Sequence, residues 1–280
     1  MISVIVPAHN EAGVIGRLLT ELLAEASPGE FQVVVVANGC TDATAEVAAG
    51  FGDPVTVVAT PVPSKYKALR LGDGEASHFP RLYVDADVVL ATKDARELAE
   101  ALSAPGVQAA APARRMALSG RPWIVRWYYD VWERLPQVRA GLFGRGVIGV
   151  AAEGHRRLLD IPEVMGDDLA ASVAFGPDER LVVESASVVV HAPRTVADLV
   201  RRRVRSLTSI AQLRREQPAP VDNARTSWSD LADLLRRNPV LAPKLAVFLG
   251  LTVYIRLRAR KPIRQQDYTT WLRDESSRTV

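Results

Sequence analysis

The chain has 280 residues, 48 % of them apolar and 24 % charged, with a net charge of +3. That balance excludes collagen-like, low-complexity and disordered chains, and the length allows a sizeable core in one large domain or two small ones. A single cysteine, Cys40, excludes an intramolecular disulfide framework and any metal site built on several cysteines.

In chain order, the apolar run Ile2 to Val6 reads as a buried strand ended by Pro7. It has no basic lead-in and no apolar stretch of signal length, so no secretory leader is expected and the expected location is the cytoplasm. Residues 11–26 carry Val14, Ile15, Leu18, Leu19, Leu22 and Leu23 at helical spacing. A second buried strand is predicted over 31–37. The turn Asn38-Gly39 follows it, with Thr41 or Asp42 capping a helix through Val47. Strands at 55–59 and 81–84 flank a helix at 65–71. Strands alternating with helices predict an α/β fold: a Rossmann-like, mostly parallel sheet with helices on both faces.

Further strands are predicted at 107–112, 147–150 and 180–190, with an aromatic helix over 121–135. A basic helical stretch over 195–217 is broken by Gln217-Pro218-Ala219-Pro220. Residues 245–255 carry no charge and are too short to span a bilayer. Arg256, Arg258, Arg260 and Lys261 follow at once, so an interfacial helix and a buried amphipathic helix fit equally. The pattern divides the chain into an α/β domain, 1–193, with halves 1–105 and 106–193, and a helical C-terminal region, 194–280. The first holds 17 Lys and Arg against 24 Asp and Glu, and the second 18 against 8. An acidic body suits a cation, and a basic tail region faces an anion.

Acidic groups recur at predicted strand ends: Asn10-Glu11, Asp42, Asp85-Ala86-Asp87 and Asp167-Asp168. The carboxyl edge of a parallel sheet is where ligands bind. In Asp85-Ala86-Asp87, two carboxylates between apolar runs are costly to desolvate unless a cation neutralises them. Oxygen ligands suit Mg²⁺ or Mn²⁺ bridged to a substrate phosphate. The plain alternative is a pair of loop carboxylates capping a helix. A P-loop and a G-x-G-x-x-G fingerprint are both absent, which leaves kinase and dehydrogenase readings without support.

Taken together, the motifs resemble those of the family 2 glycosyltransferases, whose nucleotide-sugar-binding fold is called GT-A. Pro7-Ala8-His9-Asn10-Glu11 is similar to the family's P-x-x-N-E opening, and Asn38-Gly39-Cys40-Thr41-Asp42 to its D-G-S-T-D turn. Residues 64–72 resemble G-K-x-x-A-L-N-x-G, with Ser64 for Gly and Arg70 for Asn. Asp85-Ala86-Asp87 matches D-x-D, and Gly166-Asp167-Asp168 the later E-D motif. Arg202 to Arg205 resembles Q-x-x-R-W, with Arg202 for Gln and Ser206 for Trp. The first four matches cover residues 2–90, and the weaker ones reach about residue 206.

The resemblance implies a metal-dependent, inverting transfer of a sugar from a nucleotide-sugar donor to a hydroxyl-bearing acceptor. It implies that Pro7, Asn10, Glu11, Asn38 and Asp42 border the donor, and that Lys65, Asp85 and Arg205 attend its diphosphate. Asp87, Asp85 and His191 are the candidate ligands for Mn²⁺ or Mg²⁺. Asp168 is the candidate general base, with an N-cap for a helix starting at Leu169 as its alternative. Asp167, Trp123 and Gly149 are assigned to the acceptor, although Trp123 and its aromatic neighbours equally suit a core. A lipid-linked acceptor would place the protein at the inner face of a membrane. Two rival readings are a nucleotidyltransferase-like enzyme and a non-catalytic binder of nucleotides or nucleic acid. The arginines of 194–215 lack interleaved aromatics, so no nucleic-acid partner is expected.

Overall fold

A computed structural model describes residues 1–161, 163–164, 167–216 and 226–266. Its first half contains strands β1 (Ile2–Ala8), β2 (Phe31–Asn38), β3 (Val55–Thr60) and β4 (Arg81–Val84), parallel and ordered β3-β2-β1-β4. Every residue of β1 and all but one of β2 are buried. Helices cover both faces, which is why β1 and β2 read as mainly apolar strands. Helix α1 (Ile15–Leu23) buries Ile15, Leu18, Leu19 and Leu22. Helix α2 (Thr44–Ala49) has Ala43 at the cap position, with Asp42 one residue earlier accepting from the N–H of Thr44, the first helical residue, and from that of Ala12. Helix α3 (Lys65–Glu75) is capped by Ser64, whose Oγ accepts from the Lys67 N–H. It presses so closely on β1 that a Cβ on Gly72 would lie 2.4 Å from Ile5 Cγ2.

The chain continues through β5 (Val89–Leu90), α4 (Thr92–Ala101), β6 (Ala109–Ala117), α5 (Trp123–Trp132) and α6 (Pro136–Ala140). Then come β7 (Val147–Val150), α7 (Ala152–Leu159), α8 (Asp167–Val173) and β8 (Arg180–His191). All eight strands form one sheet, β3-β2-β1-β4-β7-β6-β8-β5. It is mostly parallel but mixed. Strand β7 runs antiparallel to both β4 and β6, and β5 antiparallel to β8. The β6/β8 register passes from Pro112↔Val183 to Ala113↔Ser187, so Glu184 to Ala186 bulge out.

Helices α9 (Val196–Glu216), α10 (Trp228–Arg237) and α11 (Ala242–Gln265) complete the described chain, with a 3₁₀ turn at Pro239–Leu241. The predicted break at 217–220 lies outside the described residues. Tyr128, Tyr129 and Trp132 of α5 meet Leu199 and Val204 of α9 and Phe248 and Ile255 of α11 in a second core. The uncharged run 245–255 belongs to this much longer helix. Residues 239–265 are long and apolar enough to cross a membrane by length and composition, which corrects the expectation of too short a segment. Leu245, Phe248, Ile255 and Ala259 nevertheless bury one face of α11 against α5 and α9. Val253, Tyr254 and Leu257 stay exposed.

Candidate active site

The loops after β1 and β2 are tied to each other. Asn10, at a left-handed φ of 52°, accepts from the Thr41 N–H at 2.7 Å. The Glu11 N–H donates to Thr44 Oγ1 at 2.8 Å. Asp42 accepts from the backbone N–H groups of Ala12 and Thr44, each at 3.1 Å. Burial alone would raise the Asp42 carboxyl, but the Thr44 hydroxyl and these N–H groups outweigh it and hold the group below its usual range. Asn38 is buried, and its amide donates to the Ala8 carbonyl at 2.9 Å, stitching β2 to β1.

At the end of β4, Asp85 accepts from Lys65 Nζ at 2.6 Å, and its N–H donates to the Gly146 carbonyl at 2.7 Å. Gly146 sits at φ +69°, where a Cβ would meet Val88 Cγ1 at 2.4 Å, so the loop before β7 can rest directly on the D-x-D turn only with glycine there. The Asp87 carbonyl accepts from Arg17 of α1 at 3.3 Å. Strands β5 and β8 pair Val89↔Val189 and Leu90↔Val188. Carried back two residues, that register sets Asp87 opposite His191. The His191 Nε2 is buried with no hydrogen-bond partner. Burial, followed by the charges of Arg17 and Arg121, pushes this imidazole below its ordinary range, against the pull of Asp87.

Asp168 lies near the start of α8, not at a strand end as the sequence pattern suggested. Its Oδ2 accepts from the Gly144 N–H and its Oδ1 from the Leu169 N–H, both at 2.8 Å. The helix starts at Asp167 and not at Leu169, so Asp168 lies inside it and does not take the expected N-cap position. Lys65, Asp85 and Asp168 together line a cleft of about 800 Å³, which also reaches Arg205 on α9. Pro7 joins the same three residues around a smaller adjoining cavity.

Two residues expected at the acceptor stand elsewhere. Trp123 is 51 % exposed, packs edge-on against Trp127 and does not line the cleft. From the same helix Tyr128, Tyr129 and Trp132 do. Gly149 is a buried residue within β7, wedged between Leu82 and Leu102, where any Cβ would come within 2.7 Å of each. The glycines at the site are Gly144 and Gly146. The side chain of Asp167 lies outside the described residues. Sequence reasoning missed Arg17 and did not single out Gly144, Gly146 or Arg203, whose guanidinium lies 5.4 Å from the Trp132 ring centre. The spacing of the glycines over 141–149 is the signal for Gly144 and Gly146.

The family model of Glycosyl transferase family 2 matches residues 3–159, more than half of the chain, and the chain belongs to that family. It is a glycosyltransferase. Among solved structures it is similar to the mannosyltransferase PcManGT from Pyrobaculum calidifontis, solved in complex with GDP-Man and Mn²⁺. The identity is 21 %, the TM-score 0.62, and the match covers 95 % of this chain and 84 % of that one. It is also similar to glucosyl-3-phosphoglycerate synthase from Mycobacterium tuberculosis, in complex with Mn²⁺, UDP and glucosyl-3-phosphoglycerate. Here the identity is 21 %, the TM-score 0.56, and 79 % and 81 % of the two chains are covered. These likenesses establish the GT-A fold. No curated protein matches the chain in sequence.

Proposed function

We propose that the protein moves a sugar from a nucleoside diphosphate donor to an acceptor hydroxyl, with inversion at the anomeric carbon and with Mn²⁺ or Mg²⁺. The observation that carries this reading is the convergence of Lys65, Asp85 and Asp168 on one cleft. Similar structures hold GDP-Man with Mn²⁺, or UDP with Mn²⁺ or Mg²⁺.

Asp87 and His191 would hold the cation, and Asp85, already paired with Lys65, is the remaining candidate ligand. The unpartnered His191 Nε2 fits a metal ligand, which must be neutral imidazole, the form that burial favours here. Among the described residues no group of three or more His, Cys, Asp or Glu forms an all-protein cage. A site completed by the donor's own phosphates and by water is the kind that Mg²⁺ and Mn²⁺ favour. The bound cation supplies positive charge where the diphosphate departs.

Pro7, Asn10, Glu11 and Asp42 border the nucleoside at the carboxyl ends of β1 and β2, with Asn38 behind them as a brace. Lys65 fixes Asp85 and adds a cation beside the diphosphate, and Arg205 faces it from α9. Asp168 takes the acceptor proton as the hydroxyl oxygen bonds to the anomeric carbon. The carbon–oxygen bond to the diphosphate breaks in the same displacement, on the opposite face, and the diphosphate leaves with the electron pair. The Gly144 and Leu169 N–H groups hold the carboxylate in place and leave it further lone pairs. Residues 1–105 serve the donor and 106–193 the acceptor.

The exposed strip Val253, Tyr254 and Leu257 on α11, beside Arg258, Arg260 and Lys261, supports a peripheral contact with the inner face of a membrane, where a lipid-linked acceptor would be presented. Hydrolysis of GDP- and UDP-sugars by the purified protein, with and without Mn²⁺, tests the transfer reading. A protein that neither binds nor hydrolyses any of them overturns it.

A further inference from the structure

Strand β6 carries a buried cation that the transfer chemistry above does not use. The Arg114 side chain is 4 % exposed, and its guanidinium lies 4.3 Å from the Trp132 ring centre. Burial and the charge of Arg145 push it down to about 10, which leaves it charged at neutral pH. Such a charge is costly to take out of water unless it is well bonded. Its bonds go to the glycine loop. Arg114 Nη1 donates to the Gly144 carbonyl at 3.0 Å and to the Phe143 carbonyl at 3.4 Å. The Nε stands 3.8 Å from a Glu133 carboxylate oxygen, an ion pair too long for a hydrogen bond. Gly144 is pressed against this cation: at its φ of +67°, a Cβ would lie 3.4 Å from Arg114 Nη1 and from Trp132 Cη2.

The Phe143 carbonyl and the Gly144 N–H belong to one peptide unit. Arg114 holds its oxygen, and Asp168 Oδ2 accepts from its nitrogen at 2.8 Å. A cation on the carbonyl polarises the peptide and makes its N–H a better donor, since chains of hydrogen bonds reinforce one another. The other buried arginine of the loop, Arg145, bonds instead to the carbonyls of Gly141, Pro112, Val138 and Arg139. Arg114 does not line the cleft, so its influence passes through the loop. Resting on the reading of Asp168 as base, we infer that Arg114 is a positioning residue for that carboxylate, acting through the Phe143–Gly144 peptide. Arginine suits the place because one planar fork lies against Trp132 and reaches both carbonyls, where an ammonium is a single point charge.

Two readouts test this, and the first needs no activity. Amide hydrogen exchange at Gly144 is compared with that at Leu142, whose N–H donates to Ser172 Oγ at 3.0 Å. In Arg114→Met, exchange at Gly144 is expected to rise at least about tenfold more than at Leu142, with Arg114→Lys between Arg114→Met and the wild type. Equal rises mean general loosening and overturn the inference, as does no rise. The second readout is Mn²⁺-dependent hydrolysis of GDP-mannose and UDP-glucose, with water in the acceptor's place. In Arg114→Met, kcat is expected to fall about 10²-fold, the cost of moving a reacting group by about 1 Å, with donor KM within about twofold of wild type. Arg114→Lys carries the test if Arg114→Met does not fold, with an expected fall of about tenfold in kcat and the same KM. In an Asp168→Asn background neither substitution should slow turnover further, because the two residues act as a unit. Wild-type kcat in the Arg114 variants, or their full loss repeated in that background, defeats the inference alone. Undiminished turnover in Asp168→Asn defeats the reading on which it rests. Where the wild type turns over neither donor, the exchange comparison decides.

Discussion

The carboxylate of Asp168 accepts a hydrogen bond from the backbone N–H of Gly144 at 2.8 Å, which fastens the start of α8 to the glycine loop ahead of β7. The same loop, two residues on, receives the N–H of Asp85 through the Gly146 carbonyl. One short loop thus sets the spacing between the proposed base and the D-x-D turn.

Asp168→Asn keeps an acceptor for one of the two N–H groups but cannot take up a proton. Transfer is expected to fall about 10²–10⁴-fold. Binding of nucleoside diphosphate should survive in calorimetry. Transfer at the wild-type rate would leave Asp168 with only its structural bonds to the Gly144 and Leu169 N–H groups.

Asp87→Ala and His191→Ala should each weaken Mn²⁺-dependent binding of a nucleoside diphosphate. Loss of an outer-shell partner of a metal typically costs about 10–100-fold, and loss of a ligand should cost at least that. Binding measured without metal should not change. Identical Mn²⁺ dependence in either variant would remove that residue from the cation site.

Gly146→Ala tests the close approach of the loop. Gly52 has a similar positive φ but open space around it, so Gly52→Ala should cost about 1 kcal/mol for the left-handed backbone alone. At Gly146 the clash with Val88 adds about 1–3 kcal/mol more, read from urea unfolding. Equal costs at the two positions would mean that the loop yields freely.

His155 gives a pH dependence with a defined sign. Burial holds its imidazole below the ordinary value of 6.5, against the pull of Asp73 and with the push of Arg81. The unfolded chain therefore takes up this proton first. Between the two values the unfolded state binds more protons, so stability falls as pH drops below 6.5. Melting temperatures on either side of that value should show the loss, and His155→Gln should reduce it. An unchanged slope in the variant would contradict the assignment.

Vesicle flotation tests the membrane contact. Arg258, Arg260 and Lys261 are exposed on α11, and each basic group near an anionic leaflet contributes about 1 kcal/mol. Replacing all three by Gln should reduce low-salt binding to anionic vesicles by at least about tenfold. Added salt should do the same to the wild type, since exposed charges are screened over about 8 Å at physiological ionic strength. A folded protein that ignores such vesicles at low salt would refute the contact.

The parts legible in the sequence are those with strong local signals. Strands β1 and β2 are buried along almost their whole length, and such strands are mainly apolar segments ending at polar loops. The D-x-D turn could be read for the same reason. Strand β5 could not, because two residues carry no period. Trp123 and Trp132 lie on one helix, and helical spacing does not say which flank faces the cleft. Gly146 and Gly149 are three residues apart, yet one shapes a loop and the other relieves crowding inside a strand; only the backbone angle and the neighbours separate them. The full length of α11 was hidden because its cations follow the apolar run, whereas on an exposed helical face they do not end the helix.

The pairing of β5 with β8 also sets an order of events while the chain is being made. Asp87 leaves the ribosome early and His191 much later, yet the register brings them level. A nascent chain that ends before β8 has the loops after β1 and β2 but no partner for β5. On the proposed reading such a chain cannot complete the cation site. On the same reading, a copy truncated before β8 is expected to show no Mn²⁺-dependent binding of a nucleoside diphosphate, because the strand that carries His191 is the last of the sheet.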